Sequence, residues 1–154
     1  MSMLKLIRDI EGDQGRRKTF YDAKKDLYIK KYNYFCLHQY NYIRKLTKIA
    51  YPNNLIEARR YSNSMRFVWQ GQKGEALSWV RLHQSENLLA AVEIFCINDL
   101  NRTWPITHGD WSPSNILLDD GQLKLIDFDN ISRKTFKNKQ EAIYNIHKAL
   151  RGLI

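Results

Sequence analysis

The residues best suited to chemistry lie in one short stretch of the chain that begins at His108. A polar loop holds His108 and Asp110, and Asn115 follows at the start of a short apolar run. An Asp-Asp-Gly turn then leads into a second apolar run, which ends at Asp127. In two strands joined by a tight turn, the start of the first lies beside the end of the second. We therefore expect Asn115 and Asp127 to meet at one end of a hairpin, with Asp110 on the loop that leads in.

Side chains of these types suit a magnesium site. Mg²⁺ prefers oxygen ligands, commonly takes one or two carboxylates, and completes its shell with water and phosphate oxygens. The three oxygen-bearing side chains offer such ligands. A further carboxylate nearby can orient a hydroxyl group and accept its proton. The pattern therefore indicates metal-assisted chemistry on a hydroxyl group.

At these residues the sequence resembles the protein-kinase-like phosphotransferases. The pattern H-x-D-x-x-x-x-N, followed by an apolar strand that ends in D-F-x, is the catalytic loop and metal-binding motif of that superfamily. Gly109 and the run 115–118 resemble the aminoglycoside phosphotransferase and choline kinase branch. The segment 125–129, followed by Arg133 and a basic helix, also resembles the bacterial lipopolysaccharide kinases that act on Kdo and heptose. The likeness is strong over the loop and hairpin and loose elsewhere.

The resemblance implies a role for each residue of the motif. Asp110 would be the catalytic base that positions the acceptor hydroxyl, and Asn115 and Asp127 would hold Mg²⁺. His108 would brace the loop, with a ligand or general-base role as the alternative. Asp129 stands where the metal motif usually has glycine, a departure that several small-molecule kinases share. Without the resemblance, the same residues form an ordinary hairpin with solvated acids.

The first half of the chain reads as a small sheet with one helix, the part that cradles ATP if the resemblance holds. Mixed apolar and charged positions predict a strand over 4–10, and β-branched or aromatic residues between polar turns predict strands over 18–21, 27–32, 55–58 and 65–69. Apolar residues at spacings of two and three predict a helix over 34–49. The segment 70–77 resembles the hinge between lobes, whose backbone binds adenine, although a plain linker fits it equally.

The resemblance implies that a lysine on the third strand binds the nucleotide. Lys30 ends an apolar run like that of the family, whereas Lys31 would face the other side of the strand. Two exposed edge-strand lysines are the remaining interpretation. Gly12 and Gly15 lie where the phosphate-covering turn is expected, although plain turn chemistry also explains them.

One expected partner is missing from the sequence. The family usually pairs the nucleotide lysine with a glutamate on the following helix. No acidic residue occurs between Leu27 and Ile56. Either another acid, such as Glu57, holds the lysine, or the site is weakened or inactive.

The second half is predicted to be mainly helical around the motif. A helix is expected over 76–97 and a loop over 98–105. After Asp129, apolar residues recur at helical spacing between Ala142 and Leu153 and predict one amphipathic helix. Residues 130–154 carry six basic residues and one acid. They form either a docking helix with a solvated face or a surface for an anionic substrate or membrane.

We therefore predict an α+β protein with a compact protein-kinase-like fold in a single domain, residues 1–154. Residues 1–70 would be the β-rich N-terminal lobe and residues 71–154 a shortened helical C-terminal lobe. The chain has 154 residues, of which 44% are hydrophobic and 27% charged, and this composition excludes a disordered or coiled-coil chain. The net charge of +9 indicates an anionic partner. With no secretory signal at the start, we expect a cytoplasmic protein, and peripheral contact with the inner membrane face stays open.

The function expected is ATP- and Mg²⁺-dependent transfer of the γ-phosphate to a hydroxyl of a sugar or other small or lipid-linked acceptor, such as lipopolysaccharide core. The alternative is a pseudokinase, which binds or regulates without turnover. The missing helix glutamate and the short region after the motif favour that alternative. A nucleic-acid-binding protein is a third possibility, although the sequence has no recognised nucleic-acid motif. Neither the acceptor nor the oligomeric state follows from the sequence.

Overall fold

The protein consists of two compact units, which divide between Gln72 and Lys73. The structure, a computed structural model, describes residues 4–152. Helices hold 36% and strands 32% of the described residues, so the predicted α+β class is confirmed. The kinase-like architecture stays a prediction.

The first unit is an antiparallel five-stranded sheet with one helix. Its strands are β1 (Leu4–Gly12), β2 (Gly15–Asp22), β3 (Leu27–Tyr32), β4 (Leu55–Arg60) and β5 (Met65–Gln70). They lie in the order β1-β2-β3-β5-β4. The helix α1 (Leu37–Ala50) connects β3 to β4. It begins three residues later than the sequence predicts.

The core of the first unit lies between α1 and one face of the sheet. Tyr40 of α1 packs against Phe67 of β5, with ring centroids 5.7 Å apart, and donates a hydrogen bond to the backbone oxygen of Ala58 at 3.3 Å. Ile43 and Phe67 are fully buried. Because side chains alternate between the faces of a strand, every second residue of β3 and β5 faces this core.

The second unit combines a small sheet with three helices. The sheet contains β6 (Glu75–Ala76), β7 (Ile116–Asp119) and β8 (Gln122–Leu125), in that order. The helices are α2 (Trp79–His83), α3 (Glu86–Thr103) and α4 (Lys139–Arg151). Their buried apolar residues form one core, which includes Leu82, Val92, Cys96, Ile116, Ile146 and Leu150. Ile116 of β7 and Leu125 of β8 belong to this core, so the hairpin β7–β8 packs against the helices.

The predicted continuous helix over 76–97 is wrong, because two serines start two separate helices. The hydroxyl of Ser78 accepts the backbone N–H of Arg81 at 3.1 Å, and that of Ser85 accepts the N–H of Leu88 at 3.2 Å. A serine at this position stabilises a helix start, since it pairs an N–H group that the first turn leaves open. Apolar spacing alone does not reveal such a break.

The predicted loop over 98–105 is also wrong, since α3 continues to Thr103. Leu100 is buried in the core of the unit, so the apolar face of the helix extends past the predicted end. The Thr103 hydroxyl donates to the backbone oxygen of Ile106 at 2.7 Å and closes the helix end. Only the last two residues of the predicted loop lie outside the helix.

The basic helix predicted near the end of the chain is α4. Ala142, Ile146 and Leu150 are fully buried on its apolar face. The helix ends at Gly152, whose φ of +70° is readily adopted by glycine. The prediction that Leu153 continues this face falls outside the described residues. Within residues 4–152, no helix has the length and apolar character needed to cross a membrane.

Candidate active site

The loop that carries the motif is closed at its base by a pair of backbone hydrogen bonds. The Thr107 N–H donates to the Ser132 oxygen at 2.8 Å, and the Ser132 N–H donates to the Thr107 oxygen at 3.1 Å. The segment between them contains the loop, the hairpin β7–β8 and the turn after β8. All motif residues therefore belong to one closed structural unit.

His108 is buried and hydrogen-bonded at both ring nitrogens. Nε2 lies 2.8 Å from the backbone oxygen of Ile126, and Nδ1 lies 3.2 Å from the backbone nitrogen of Asp110. A carbonyl can only accept and a backbone N–H can only donate, so Nε2 carries the proton and Nδ1 accepts. Burial lowers the pKa of His108 below its usual value, although the nearby carboxylates oppose that shift. The neutral ring holds the loop against the end of β8.

Gly109 lets the loop turn between His108 and Asp110. Its φ is +89°, and a Cβ at this position would lie 2.4 Å from the backbone oxygen of Asn130. Both the backbone conformation and the close approach exclude a larger residue. The glycine therefore sets the direction in which the Asp110 side chain leaves the loop.

One oxygen of the Asp110 carboxylate is held inside the loop. Oδ1 accepts the backbone N–H of Ser112 at 3.3 Å and also accepts the Ser112 hydroxyl. Among the described residues, nothing donates a hydrogen bond to Oδ2. The side chain is half-buried, so Oδ2 can accept a hydrogen bond from a bound hydroxyl group.

Ser112 is a site residue that the sequence reasoning missed. It orients the carboxylate of Asp110 with both its backbone and its side chain. The signal was present, because an aspartate two residues before a serine commonly forms this local turn.

Asn115 is buried at the start of β7 and connects the loop to the hairpin. Its Nδ2 donates to the backbone oxygen of Asp110 at 3.3 Å, and its backbone oxygen accepts the N–H of Ile126 at 2.9 Å. Its side-chain oxygen accepts no hydrogen bond from the described residues. The amide group is thus oriented by its nitrogen, and its oxygen can bind a metal ion.

Asp127 follows β8 in a left-handed backbone conformation, with a φ of +65°. Such a conformation is costly for a residue other than glycine and is often found at functional sites. It is maintained here because the backbone of the preceding residue, Ile126, is held by two hydrogen bonds. The Ile126 oxygen accepts one from His108, and the Ile126 N–H donates one to the backbone oxygen of Asn115. The structure thereby brings Asp110, Asn115 and the backbone next to Asp127 together.

The oxygen donors of this site are of the kind that Mg²⁺ prefers. Among the described residues, no group of three or more His, Cys, Asp or Glu side chains could hold a metal. Asn115 and Asp127 provide one amide oxygen and one carboxylate, and Mg²⁺ keeps most of its remaining ligands as water or phosphate. The chemistry of the donor set therefore agrees with the expected ion.

Lys30 and Lys31 lie on opposite faces of β3 in the first unit. Lys30 is 7% exposed and lies opposite Phe67, on the face that packs against α1. Lys31 is exposed on the other face, with its Nζ 5.3 Å from the centre of the Phe20 ring. Of the two candidates, Lys30 is the one held in a defined buried position.

The suggestion that Glu57 replaces the missing helix glutamate is wrong. Glu57 pairs with Val68 on β5. The neighbouring pair, Ala58 and Phe67, lies on the same face of the sheet as Lys30. The Glu57 carboxylate forms ion pairs with Arg66 of β5 at 3.2 Å and with Arg59 of β4 at 3.1 Å. The alternation of strand side chains puts Glu57 on the opposite face of the sheet from Lys30.

The two glycines of the predicted phosphate-covering turn flank a two-residue hairpin turn. Gly12 and Gly15 face each other across Asp13 and Gln14. A Cβ on Gly15 would lie 2.4 Å from the side-chain oxygen of Asn33. Local packing therefore accounts for Gly15, and a role in covering phosphates stays a prediction.

Sequence comparison assigns the chain to no family. No protein-family model matches it, and no curated protein sequence matches it significantly. The kinase-like interpretation therefore rests on the motif residues and on the geometry of their loop.

Proposed function

We propose that the protein is an ATP- and Mg²⁺-dependent phosphotransferase whose acceptor is a hydroxyl group of a sugar or another small or lipid-linked molecule. The observation that carries this proposal is that the backbone of Ile126 makes two hydrogen bonds within the motif. Its oxygen accepts a hydrogen bond from His108, and its N–H donates to the backbone oxygen of Asn115. These bonds connect the loop of Asp110, the residue Asn115 and the backbone that leads to Asp127, and side chains of these types are the set that phosphoryl transfer to a hydroxyl uses.

In this proposal, Asp110 positions the acceptor hydroxyl. Its Oδ2 accepts the hydroxyl hydrogen bond while Ser112 holds Oδ1. Phosphoryl transfer passes through a largely dissociative transition state, so alignment of the hydroxyl matters more than early removal of its proton. Fixing the carboxylate in advance avoids the entropic cost of orienting it during the reaction.

Asn115 and Asp127 are the proposed ligands of Mg²⁺. When bound, the ion neutralises charge on the oxygens of the transferred phosphate. The amide of Asn115 is oriented by its Nδ2, and the backbone that leads to Asp127 is held by the hydrogen bonds of Ile126. Lys30 of the first unit is the proposed lysine for the nucleotide phosphates.

The charge of the chain supports an anionic acceptor such as a phosphorylated or acidic glycolipid. The net charge is +9, and Arg133, Lys134 and Lys137 are exposed in the segment that follows the motif. A run of exposed cations attracts acidic sugars, and it also attracts anionic head groups of a membrane. We therefore propose lipopolysaccharide core sugars as the first acceptors to test.

Turnover by matched carboxylate variants tests the proposal. ATP consumption with Mg²⁺ would be measured with Kdo- and heptose-containing glycolipids, aminoglycosides, choline and a generic protein. Asp110→Asn and Asp127→Ala should each reduce turnover by about a hundredfold or more. Asp120→Asn is the control, because Asp120 lies in the exposed β7–β8 turn at a φ of +49°, which asparagine also adopts. Full turnover by Asp110→Asn would show that the base is assigned wrongly.

The second candidate function, a pseudokinase, is favoured by the sequence of α1, which contains no acidic residue where the family usually has the glutamate that pairs with its nucleotide lysine. A thermal-shift measurement with ATP and Mg²⁺ separates the two functions. Stabilisation by the nucleotide without turnover on any acceptor would support the pseudokinase.

A further inference from the structure

Four cations form a row on the face of the first unit's sheet that points away from α1. Strand pairing puts Lys18 opposite Lys31, Lys31 opposite Arg66, and Arg66 opposite Arg59. The row therefore crosses β2, β3, β5 and β4. Like charges directly opposite each other destabilise a sheet. Glu57 bridges Arg66 and Arg59, so within this basic row (Lys18, Lys31, Arg66 and Arg59) the stability of the fold leaves the facing pair Lys18 and Lys31 unexplained.

A cleft of roughly 540 Å³ lies beside the basic row and is lined by three of its members together with Arg16. The remaining polar groups of its lining include Asn33, Tyr61 and Ser64. None of the described residues that line the cleft is acidic. Its volume falls within the range of small-ligand sites, roughly 300–1,000 Å³.

The acids near the cleft, including Asp9 opposite Lys18, form their ion pairs with its arginines. Glu57 binds Arg66 at 3.2 Å, and Asp9 and Glu11 each bind Arg16 at 3.3 Å. Within residues 4–152, neither lysine of the basic row forms an ion pair. Two ammonium groups on neighbouring strands therefore face a concave surface with no bound acid.

We propose that this cleft binds a phosphate-bearing ligand through Lys18, Lys31 and Arg66. A phosphate group has up to two charges and three acceptor oxygens, which suits two lysine ammonium groups and a planar guanidinium. Asn33 and Ser64, from the loops after β3 and before β5, bound the cleft and favour a discrete phosphate group over an extended polymer. The site lies wholly within the first unit and does not depend on the proposed function.

A phosphorylated solute and a phosphorylated lipid head group share this chemistry, so the test has two arms. Inorganic pyrophosphate would be titrated by calorimetry at low ionic strength without Mg²⁺. Co-sedimentation would be measured with vesicles of phosphatidylcholine and phosphatidylglycerol. The variant is Lys18→Gln with Lys31→Gln. The control is Lys24→Gln with Lys25→Gln, which removes the same charge from the exposed β2–β3 turn.

The expected result is specific weakening by the first variant. Its affinity for the probe should fall by at least about tenfold, because the variant removes two ammonium groups that would each donate a charge-assisted hydrogen bond. The control should change affinity by less than about twofold, since exposed charges at a distance are screened. Loss confined to pyrophosphate identifies a soluble ligand, and loss confined to vesicles identifies a lipid head group.

Three outcomes overturn the proposal. One is that the wild-type protein binds neither probe. Another is that both double variants weaken binding equally, which would reflect net charge alone. The third is that only a single-stranded oligonucleotide binds in a manner that depends on the two lysines. Neither measurement uses ATP turnover, so a failed phosphotransferase assay leaves the result unaffected.

Discussion

His108 donates a hydrogen bond from its buried Nε2 to the backbone oxygen of Ile126, at 2.8 Å, one residue before Asp127. Its other nitrogen accepts the backbone N–H of Asp110. One neutral ring therefore connects the loop carboxylate to the strand end that presents the second carboxylate. Because the ring makes both contacts from a buried position, its loss leaves two backbone groups unpaired.

Replacing His108 should destabilise the second unit. We expect His108→Ala to lower the free energy of unfolding by about 2–4 kcal/mol, from a cavity and two unpaired backbone groups. Urea titration followed by circular dichroism measures the change. His38→Ala serves as control, since His38 is exposed on α1, and it should cost less than about 1 kcal/mol. Equal effects of the two substitutions would contradict the bracing role.

Gly109 and Gly121 offer a matched pair for testing the loop. Both have positive φ, of +89° and +79°. A Cβ on Gly109 would lie 2.4 Å from the backbone oxygen of Asn130, whereas a Cβ on Gly121 would have no neighbour within 4 Å. We expect Gly121→Ala to cost about 1 kcal/mol from the conformation alone. Gly109→Ala should cost at least about 2 kcal/mol because a clash is added. Thermal unfolding of the two variants gives the comparison, and similar costs would rule out the close contact.

Ser112→Ala should reduce turnover without affecting nucleotide binding, provided that the proposed phosphotransferase activity is present. The serine hydroxyl is one of two groups that hold Oδ1 of Asp110. We expect kcat to fall by about tenfold while the KM for ATP stays within about twofold. Ser114→Ala is the control, because Ser114 is exposed on the same loop. A matching loss in the control would indicate a general effect on the loop.

Glu93 connects α3 to α4 through partly buried contacts. The residue is 6% exposed, and its carboxylate accepts a hydrogen bond from Nε of Arg151 at 2.8 Å and also binds His147. The Arg151 guanidinium lowers the pKa of Glu93, and the His147 hydrogen bond adds to this effect, whereas burial opposes it. A carboxylate with a lowered pKa in the folded state stabilises the protein above its unfolded-state pKa. That stabilisation is lost as the pH falls through the folded-state pKa.

Glu93→Gln should therefore remove part of the acid sensitivity of the protein. We expect it to lower the free energy of unfolding at pH 7 by about 1–3 kcal/mol. The pH dependence below about pH 5 should become shallower, because one proton-binding group that differs between the states is gone. Denaturant unfolding between pH 3 and 7 measures both effects. Glu86→Gln, at an exposed acid that also pairs with Arg151, should cost less than about 0.5 kcal/mol.

Local patterns in the chain were enough for most elements of the first unit. The strand over 27–32 was predicted with its observed bounds, since its β-branched and aromatic residues follow a polar turn. The order of the motif residues likewise predicted the hairpin that holds Asn115 and Asp127 at one end. These features depend on neighbours within a few residues, and such information is present in a short window of sequence.

Other features depend on partners far along the chain, and they emerge only when the chain folds. The tautomer of His108 depends on Ile126, eighteen residues away. The face on which Glu57 lies follows from its register with Val68, which a bulge in β4 shifts. The basic row exists because four separate strands align in one register. Strand register is set by side-chain burial across the whole sheet, so no single segment contains it.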